Sequence, residues 1–177
     1  VVVRESSDLE SIKGLLTSIT VHEIDGEMQT LDIVVSISVP DVVFHTASKF
    51  LASHTSSDVE SLFHSNLVFP GKLLEAMSNH GVNNLVNIGT SWQHYESGGD
   101  EVYDPVCLYA ATKQGFEAII DYYVATSRMR VATLKLFDTY GLGDKRHKLM
   151  SLLRKTVRDN RSLEMSPGDQ NIDLLHI

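Results

Sequence analysis

Short runs of β-branched residues alternate along the chain with longer segments in which apolar residues recur at helical spacing. The strand-like runs lie at 1–4, 19–24, 40–47, 84–90 and 130–137. The helix-like segments lie at 7–16, 57–81, 106–127 and 147–160, and the run at 28–37 suits either a strand or a helix. This regular alternation predicts an α/β fold with a parallel, doubly wound sheet.

The longest helical pattern, at 57–81, carries its own start and stop signals. Ser57 and Glu60 have the spacing of a capping box, and Gly81 is suited to end the helix. Pro70 lies inside the pattern and is expected to kink the helix, because proline lacks the backbone N–H that a helix uses.

In a sheet of this kind, ligands bind beyond the carboxyl ends of the strands. The residues that end or follow the predicted strands are therefore candidates for a binding site. They are Arg4, Asp25, 45–48, 89–91 and 137–140.

Tyr109 and Lys113 lie four residues apart in the predicted helix 106–127. That spacing puts both side chains on one face, with Cβ atoms roughly 5–6 Å apart. An ammonium so close favours tyrosinate and is expected to lower the tyrosine pKa from about 10, so that the phenol can exchange a proton near neutrality. The alternative is an ordinary exposed face of an amphipathic helix.

Thr90 ends the predicted strand 84–90 and Ser91 follows it, where hydroxyl groups face the ligand crevice. The Ser91 hydroxyl could bond to a substrate carbonyl or alcohol while Tyr109 transfers the proton. Serine and threonine also suit an ordinary turn at the end of a strand, and that alternative stays open.

The composition narrows the class of protein. The 177 residues are enough for one domain and part of a second, and the net charge of −8 argues against nucleic acid or an anionic membrane as partner. Cys107 is the single cysteine, so no intrachain disulfide can form and a cytoplasmic setting is expected. The histidines are dispersed without a metal-ligand spacing, so no metal site is expected.

The order of motifs resembles a known family. A strand ending in "HTAS", a helix with Asn66, a strand ending in "GTS", the Y-x-x-x-K spacing and then "LKLFDTYGLGD" follow one another. This order is similar to that of the extended short-chain dehydrogenase/reductases, in the NAD-dependent epimerase/dehydratase group that acts on nucleotide sugars. The resemblance implies a Rossmann-type NAD(P)-binding domain at 1–140 and the beginning of a smaller substrate domain at 141–177, with both ends of the family's chain missing.

The resemblance also implies roles for matched positions. Tyr109 is expected to be the acid/base, Lys113 to bind the nicotinamide ribose and tune the tyrosine, and Ser91 to polarise the reacting C–O group. The residues expected to line the cofactor are Thr46, Ala47, Ser48, Asn66 and Phe137.

The chain departs from the family at several positions. The glycine-rich phosphate loop is absent and is expected before Val1. Trp92-Gln93 replaces the Asp-Glu pair of the dehydratases, so elimination of water is not expected. Asp138 stands where asparagine is usual. Substrate contacts are expected from Thr90, Trp92, Asp138 and Arg146, with Lys145 or Lys148 as further anchors for the phosphates.

The cofactor is expected to be NADP or NAD. Arg4 at the end of its strand favours NADP, since a cation there can pair with the 2′-phosphate, although Glu5 is adjacent. Asp25, after the next strand, suits either a contact with adenine or a cap of the turn.

These features predict an NAD(P)-dependent nucleotide-sugar enzyme, either a 4-ketoreductase or a 4-epimerase. A catalytically silent dinucleotide-binding sensor or scaffold is the alternative. A homodimer through the helices 57–81 and 106–127 is expected from the resemblance, although the apolar stripe of the second helix could simply pack on the sheet.

Overall fold

The computed structural model describes residues 1–95, 102–141, 144, 146, 148–168 and 172–177. Its strands are β1 (Val2–Arg4), β2 (His22–Ile24), β3 (Val43–His45), β4 (Asn84–Thr90), β5 (Arg130–Leu136), β6 (Asp138–Tyr140) and β7 (Leu174–His176). Its α-helices are α1 (Met28–Ser38), α2 (Val59–Phe63), α3 (Phe69–Asn79), α4 (Leu108–Thr126) and α5 (Leu149–Arg158). The chain divides into two compact units, Val1–Leu134 and Lys135–Ile177.

Strands and helices alternate as the sequence predicts, and the paired strands β1–β2 and β3–β4 run parallel. In the first unit, β1 and β2 form one sheet, and β3, β4 and β5 form another in that order. The described strands of the first unit therefore make two separate sheets rather than one continuous sheet. The second unit contains the parallel pair β6–β7.

The hydrophobic core of the first unit lies between its helices and strands. Leu31 and Val35 of α1 are buried one turn apart, and α1 packs against α3. This spacing decides the ambiguous run at 28–37 in favour of a helix. Each such buried side chain contributes about 1.5–3 kcal/mol relative to exposure. The largest core side chains include Leu31, Leu74, Met77, Leu85 and Phe116.

The helix predicted at 57–81 is built differently from the expectation. It starts with a 3₁₀ turn at Ser56–Asp58, and its capping box pairs Thr55 with Asp58 rather than Ser57 with Glu60. Thr55 and Asp58 are also three residues apart, so two residue pairs in this segment have the spacing of a capping box. The capping contacts form at the earlier pair.

A π-helical turn at His64–Val68 separates α2 from α3 just before Pro70. The Phe69 N–H bonds to the His64 carbonyl, five residues back, and Pro70 has no N–H to offer the Asn66 carbonyl. Proline thus interrupts the α-helical pattern where it was expected to. The chain leaves α3 through Gly81, which has φ +69°, a conformation that favours glycine.

Two further segments differ from the sequence predictions. The segment predicted as a helix at 7–16 contains a 3₁₀ helix at Glu10–Leu15, and β6 lies in a segment with no predicted element. Within the described part of the chain, every helix is too short or too polar to cross a membrane.

Candidate active site

Tyr109 is the second residue of α4 and is half-buried at the carboxyl ends of β3 and β4. Its side chain is hydrogen bonded with Ser48, which follows β3, and with Thr90, which ends β4. The Phe50 ring meets the Tyr109 ring edge to face, with centroids 5.0 Å apart. Two strand ends and one helix start therefore meet at a single phenol.

The pKa of Tyr109 is raised above its usual value of 10.0, and burial is the largest cause. The hydrogen bonds with Ser48 and Thr90 act in the opposite direction but do not outweigh it. The expectation that Lys113 lowers this pKa is therefore wrong for this structure. Burial keeps the phenol protonated at neutral pH, and the Lys113 ammonium is directed at the backbone instead.

Lys113 is 3% exposed, although it is a lysine on a helix. Its Nζ donates to the Ile88 carbonyl oxygen of β4 at 2.9 Å. Burial lowers the Lys113 pKa to about 8, and the Glu117 carboxylate one turn along α4 partly opposes this. A buried lysine whose pKa is lowered toward physiological pH is typical of functional sites. Because Lys113 is buried, it does not belong to an ordinary exposed helix face.

Asn66, in the π-helical turn, is 2% exposed and has every hydrogen-bonding position filled. Its Oδ1 accepts from the Lys49 N–H at 2.8 Å and from the Ser48 hydroxyl at 3.3 Å. Its Nδ2 donates to the Lys49 carbonyl at 3.0 Å and to the Thr112 hydroxyl at 2.9 Å. The side chain thus joins the turn after β3 to α4, and its contact with a cofactor stays a prediction.

Ser91 opens the 3₁₀ turn Ser91–Gln93 and is half-buried. Among the described residues its hydroxyl has no hydrogen-bond partner, whereas the Thr90 hydroxyl accepts from the Trp92 N–H at 3.3 Å and bonds with Tyr109. The structure therefore brings Thr90 to the phenol directly. The half-buried Trp92 ring contacts the Phe50 ring at 5.5 Å.

Some polar residues next to this site were missed by the sequence reasoning or not assigned a role. His45 is 4% exposed beside the rings of Phe69 and Phe116, and burial, followed by the charge of Lys113, lowers its pKa to about 4. Asn87, opposite His45 in the sheet, is fully buried. A polar residue inside an apolar strand is the signal that could have drawn attention to Asn87.

Thr46 and Ala47 are exposed in the turn after β3, and Arg4 is exposed at the end of β1. The Asp25 carboxylate accepts from the Glu27 N–H at 2.9 Å and from the Thr30 hydroxyl at 2.6 Å. These bonds, that of Thr30 first, lower the Asp25 pKa. The contacts of a turn cap are present, and a contact with adenine stays a prediction.

The second unit holds a separate pocket of about 770 Å³ beside α5. Arg146 makes two 2.7 Å bonds to the Asp144 carboxylate, and its guanidinium also reaches the Thr139 backbone and hydroxyl oxygens. Lys148 donates to Asp138 at 2.7 Å. Phe137 is 49% exposed in the same unit, and Lys145 lies outside the described residues. The basic residues lining the pocket are Arg146, Lys148, Arg154, Lys155 and Arg158.

The donor set around Tyr109 suits the nicotinamide half of a dinucleotide. It combines the hydroxyls of Ser48 and Thr90 with a single buried cation, and the ammonium of Lys113 has three hydrogens, of which the Ile88 carbonyl takes one. Uncharged hydroxyls and one cation match a ribose and a carboxamide better than they match a phosphate. Residues 1–177 contain no glycine-rich phosphate loop.

Two curated proteins are similar in sequence to this chain. A CDP-abequose synthase from Yersinia pseudotuberculosis is 29% identical over 139 residues, which cover 78% of this chain and 47% of the relative. A UDP-glucose 4-epimerase from Corynebacterium glutamicum is 28% identical over 139 residues, which cover 72% of this chain and 42% of the relative. This chain thus spans less than half the length of these curated relatives.

A solved structure and a family model complete the comparison. The UDP-glucuronic acid 4-epimerase from Bacillus cereus, in complex with NAD, matches with a TM-score of 0.81 and 21% identity, over 95% of this chain and 56% of that chain. The predicted Rossmann-type α/β fold is confirmed. The model of the NAD dependent epimerase/dehydratase family matches residues 2–177, and the chain belongs to that family.

Proposed function

We propose that this chain carries the cofactor-binding half and the proton-transfer group of an NAD(P)-dependent nucleotide-sugar 4-ketoreductase or 4-epimerase. The observation that carries the proposal is the meeting of Ser48 and Thr90 at the Tyr109 phenol, with Lys113 buried one turn farther along α4. The similarity to a CDP-abequose synthase and a UDP-glucose 4-epimerase supports a nucleotide sugar as substrate.

In the reductive direction, a sugar ketone becomes an alcohol when its carbon gains a hydride and its oxygen gains a proton. When bound, the dinucleotide supplies the hydride. Tyr109 supplies the proton, because its raised pKa keeps the phenol protonated at neutral pH. In this proposal Thr90 orients the phenol, the Ser91 hydroxyl bonds to the reacting oxygen, and Lys113 holds the nicotinamide ribose and stabilises the tyrosinate that remains.

The exposed Arg4 favours the 4-ketoreductase over the 4-epimerase, because a cation there suits NADPH, the cofactor that a ketoreductase consumes. The surroundings of Gln93 also disfavour elimination of water. Gln93 replaces one of the dehydratase carboxylates, is fully buried and bonds to α4. It is therefore neither an acid nor placed to reach a sugar.

The cofactor is NAD or NADP. The position of Arg4 and the solved neighbour favour different cofactors. The exposed Arg4 favours NADP, whereas the Bacillus cereus neighbour was solved with NAD. Titration of the full-length protein with NADH and NADPH, followed by cofactor fluorescence, decides between them. If Arg4 binds the 2′-phosphate, Arg4→Gln weakens the binding of NADPH about tenfold and leaves the binding of NADH unchanged.

The function is tested by incubating the full-length protein with reduced cofactor and a 4-keto-sugar nucleotide while following the nicotinamide absorbance. Net oxidation of cofactor identifies a reductase. In a second incubation with oxidised cofactor and a 4-hydroxy-sugar nucleotide, interconversion of the two 4-epimers without net reduction of the cofactor, followed by NMR, identifies an epimerase.

Tyr109→Phe is expected to lower kcat roughly 10²- to 10⁴-fold while cofactor still binds, because phenylalanine keeps the ring but has no proton to give. Unchanged turnover in this variant would contradict the proton-transfer role. Absence of turnover in the wild-type protein, together with tight cofactor binding, would favour the silent sensor.

We also propose a homodimer. Tyr122 and Val124 on α4 are 62% and 44% exposed, which leaves apolar surface available for a second copy. Light scattering of the full-length protein measures this directly, and a monomeric mass at micromolar concentration would rule it out.

A further inference from the structure

Gln93 has an unusual environment for a glutamine. It ends the 3₁₀ turn that follows β4, and it is fully buried. Its Oε1 accepts from the Thr90 N–H at 3.0 Å, and its Nε2 donates to Gln114 Oε1 at 2.8 Å and to Glu117 Oε1 at 2.7 Å. Both amide hydrogens and one oxygen position are thus used.

These partners belong to the two elements that meet at the phenol. Thr90 ends β4 and bonds with Tyr109 through its hydroxyl, so the backbone that Gln93 holds carries a direct partner of the phenol. Gln114 and Glu117 lie on α4 beside Lys113, and the charge of Glu117 raises the Lys113 pKa. A single buried side chain therefore spans from the hydroxyl-bearing strand end to the helix of the Tyr–Lys pair.

We propose that Gln93 is a positioning residue for proton transfer, which sets the placement of Thr90 relative to Tyr109 and holds Glu117 beside Lys113. This inference rests on the proposed function of the same site. Gln93 acts through Thr90 and Glu117 and needs no contact with substrate. A misplacement of about 1 Å at a reacting group can lower a rate about 100-fold, so the expected effect is on kcat.

An amide supplies both the acceptor and the donor that the contacts at position 93 use. The Thr90 N–H requires an acceptor, and the Glu117 carboxylate requires a donor. A glutamate at position 93 meets both needs only while it is protonated. Once ionised, it faces the Glu117 carboxylate as a like charge, which is unfavourable for a buried pair.

The first test replaces Gln93 with methionine, which keeps the volume and removes all of these hydrogen bonds. Gln93→Met is expected to lower kcat roughly 10- to 100-fold, while KM and the cofactor Kd stay within about twofold of wild type. Gln29→Met is the matched control, since Gln29 is exposed on α1, and it should leave kcat unchanged. A folded Gln93→Met protein with wild-type kcat would overturn the inference, as would a change confined to KM.

The second test, Gln93→Glu, remains informative if the methionine variant fails to fold. Glu117 is the titratable side chain that bonds to Gln93 directly. The other titratable side chains on the elements around position 93 are Tyr109, Lys113, Asp121, Tyr122 and Tyr123 on α4, the adjacent His94, and Asp104, whose backbone N–H bonds to the Gln93 carbonyl. The variant should approach wild-type kcat at the acid end of the activity range and lose it as pH rises and the new carboxyl ionises. A pH profile that overlays the wild-type profile would overturn the inference.

Wild-type turnover is measured first, which separates the two ideas. A protein with no turnover of keto-sugar or hydroxy-sugar nucleotides fails the proposed function, and the inference falls with it. An active protein whose position-93 variants match wild type fails the inference alone.

Discussion

Lys113 in the first unit and the basic pocket of the second unit place cations in opposite surroundings. Lys113 is 3% exposed and donates to the Ile88 backbone carbonyl, and burial lowers its pKa to about 8. Arg146 is half-exposed and held by Asp144, whose pKa is lowered to about 2 by the hydrogen bond from Arg146. The first cation can change its protonation state near physiological pH, whereas the Arg146–Asp144 pair keeps both charges. The difference separates a group suited to chemistry from groups suited to binding.

Replacing Lys113 is expected to have the largest effect of any change in this comparison. Lys113→Met keeps most of the side-chain volume, removes the cation beside Tyr109 and should lower kcat roughly 10²- to 10⁴-fold. Steady-state kinetics of the full-length protein measure this. Lys13→Met is the matched control, because Lys13 is 71% exposed on the 3₁₀ helix Glu10–Leu15, and a comparable loss in that variant would contradict the assignment.

The free energy of unfolding should depend on pH because the Lys113 amine is buried. Because the Lys113 pKa falls from 10.5 to about 8 on folding, the unfolded chain binds more protons between these values. Stability therefore rises with pH across that window, by on the order of 3 kcal/mol. Urea unfolding at about pH 8 and about pH 10 should show this rise in the wild type and a smaller one in Lys113→Met. An equal rise of stability with pH in the two proteins would mean that Lys113 is solvated.

The cations of the second unit should affect binding rather than turnover. Lys148→Met removes one positive charge from the pocket beside α5, and the sequence predicts Lys148 as an anchor for the substrate phosphates. The expected result is an increase of KM of about tenfold, equivalent to about 1.4 kcal/mol, with kcat nearly unchanged. A loss of kcat equal to that of Lys113→Met would erase the distinction between the two regions.

The smallest effect concerns the Arg146–Asp144 pair. Arg146→Gln removes the guanidinium that lowers the Asp144 pKa to about 2, so that pKa should return toward 3.8. Carboxyl-carbon NMR titration measures it site by site. Because the Arg146 side chain of this pair is 52% exposed to solvent, stability should barely change. An unshifted titration would indicate that the ion pair does not persist in solution.

Much of the first unit follows from local patterns. The runs at 1–4, 84–90 and 130–137 became strands because β-branched apolar residues suit a buried strand. The ends of α4 follow its apolar spacing. The long pattern at 57–81 was harder to predict. Its cap near Thr55 and its π-helical turn before Pro70 each depend on which of several competing short-range hydrogen bonds forms.

By itself, the sequence determined the α/β alternation, the family and the pairing of Tyr109 with Lys113 on one helix face. Those features depend on spacing along one chain segment. Only the tertiary structure decided that Lys113 points to the Ile88 carbonyl, that burial raises the Tyr109 pKa, and that Gln93 bridges β4 to α4. These facts depend on the dielectric surroundings and on partners distant in sequence, and both exist only once the strands and helices have packed together.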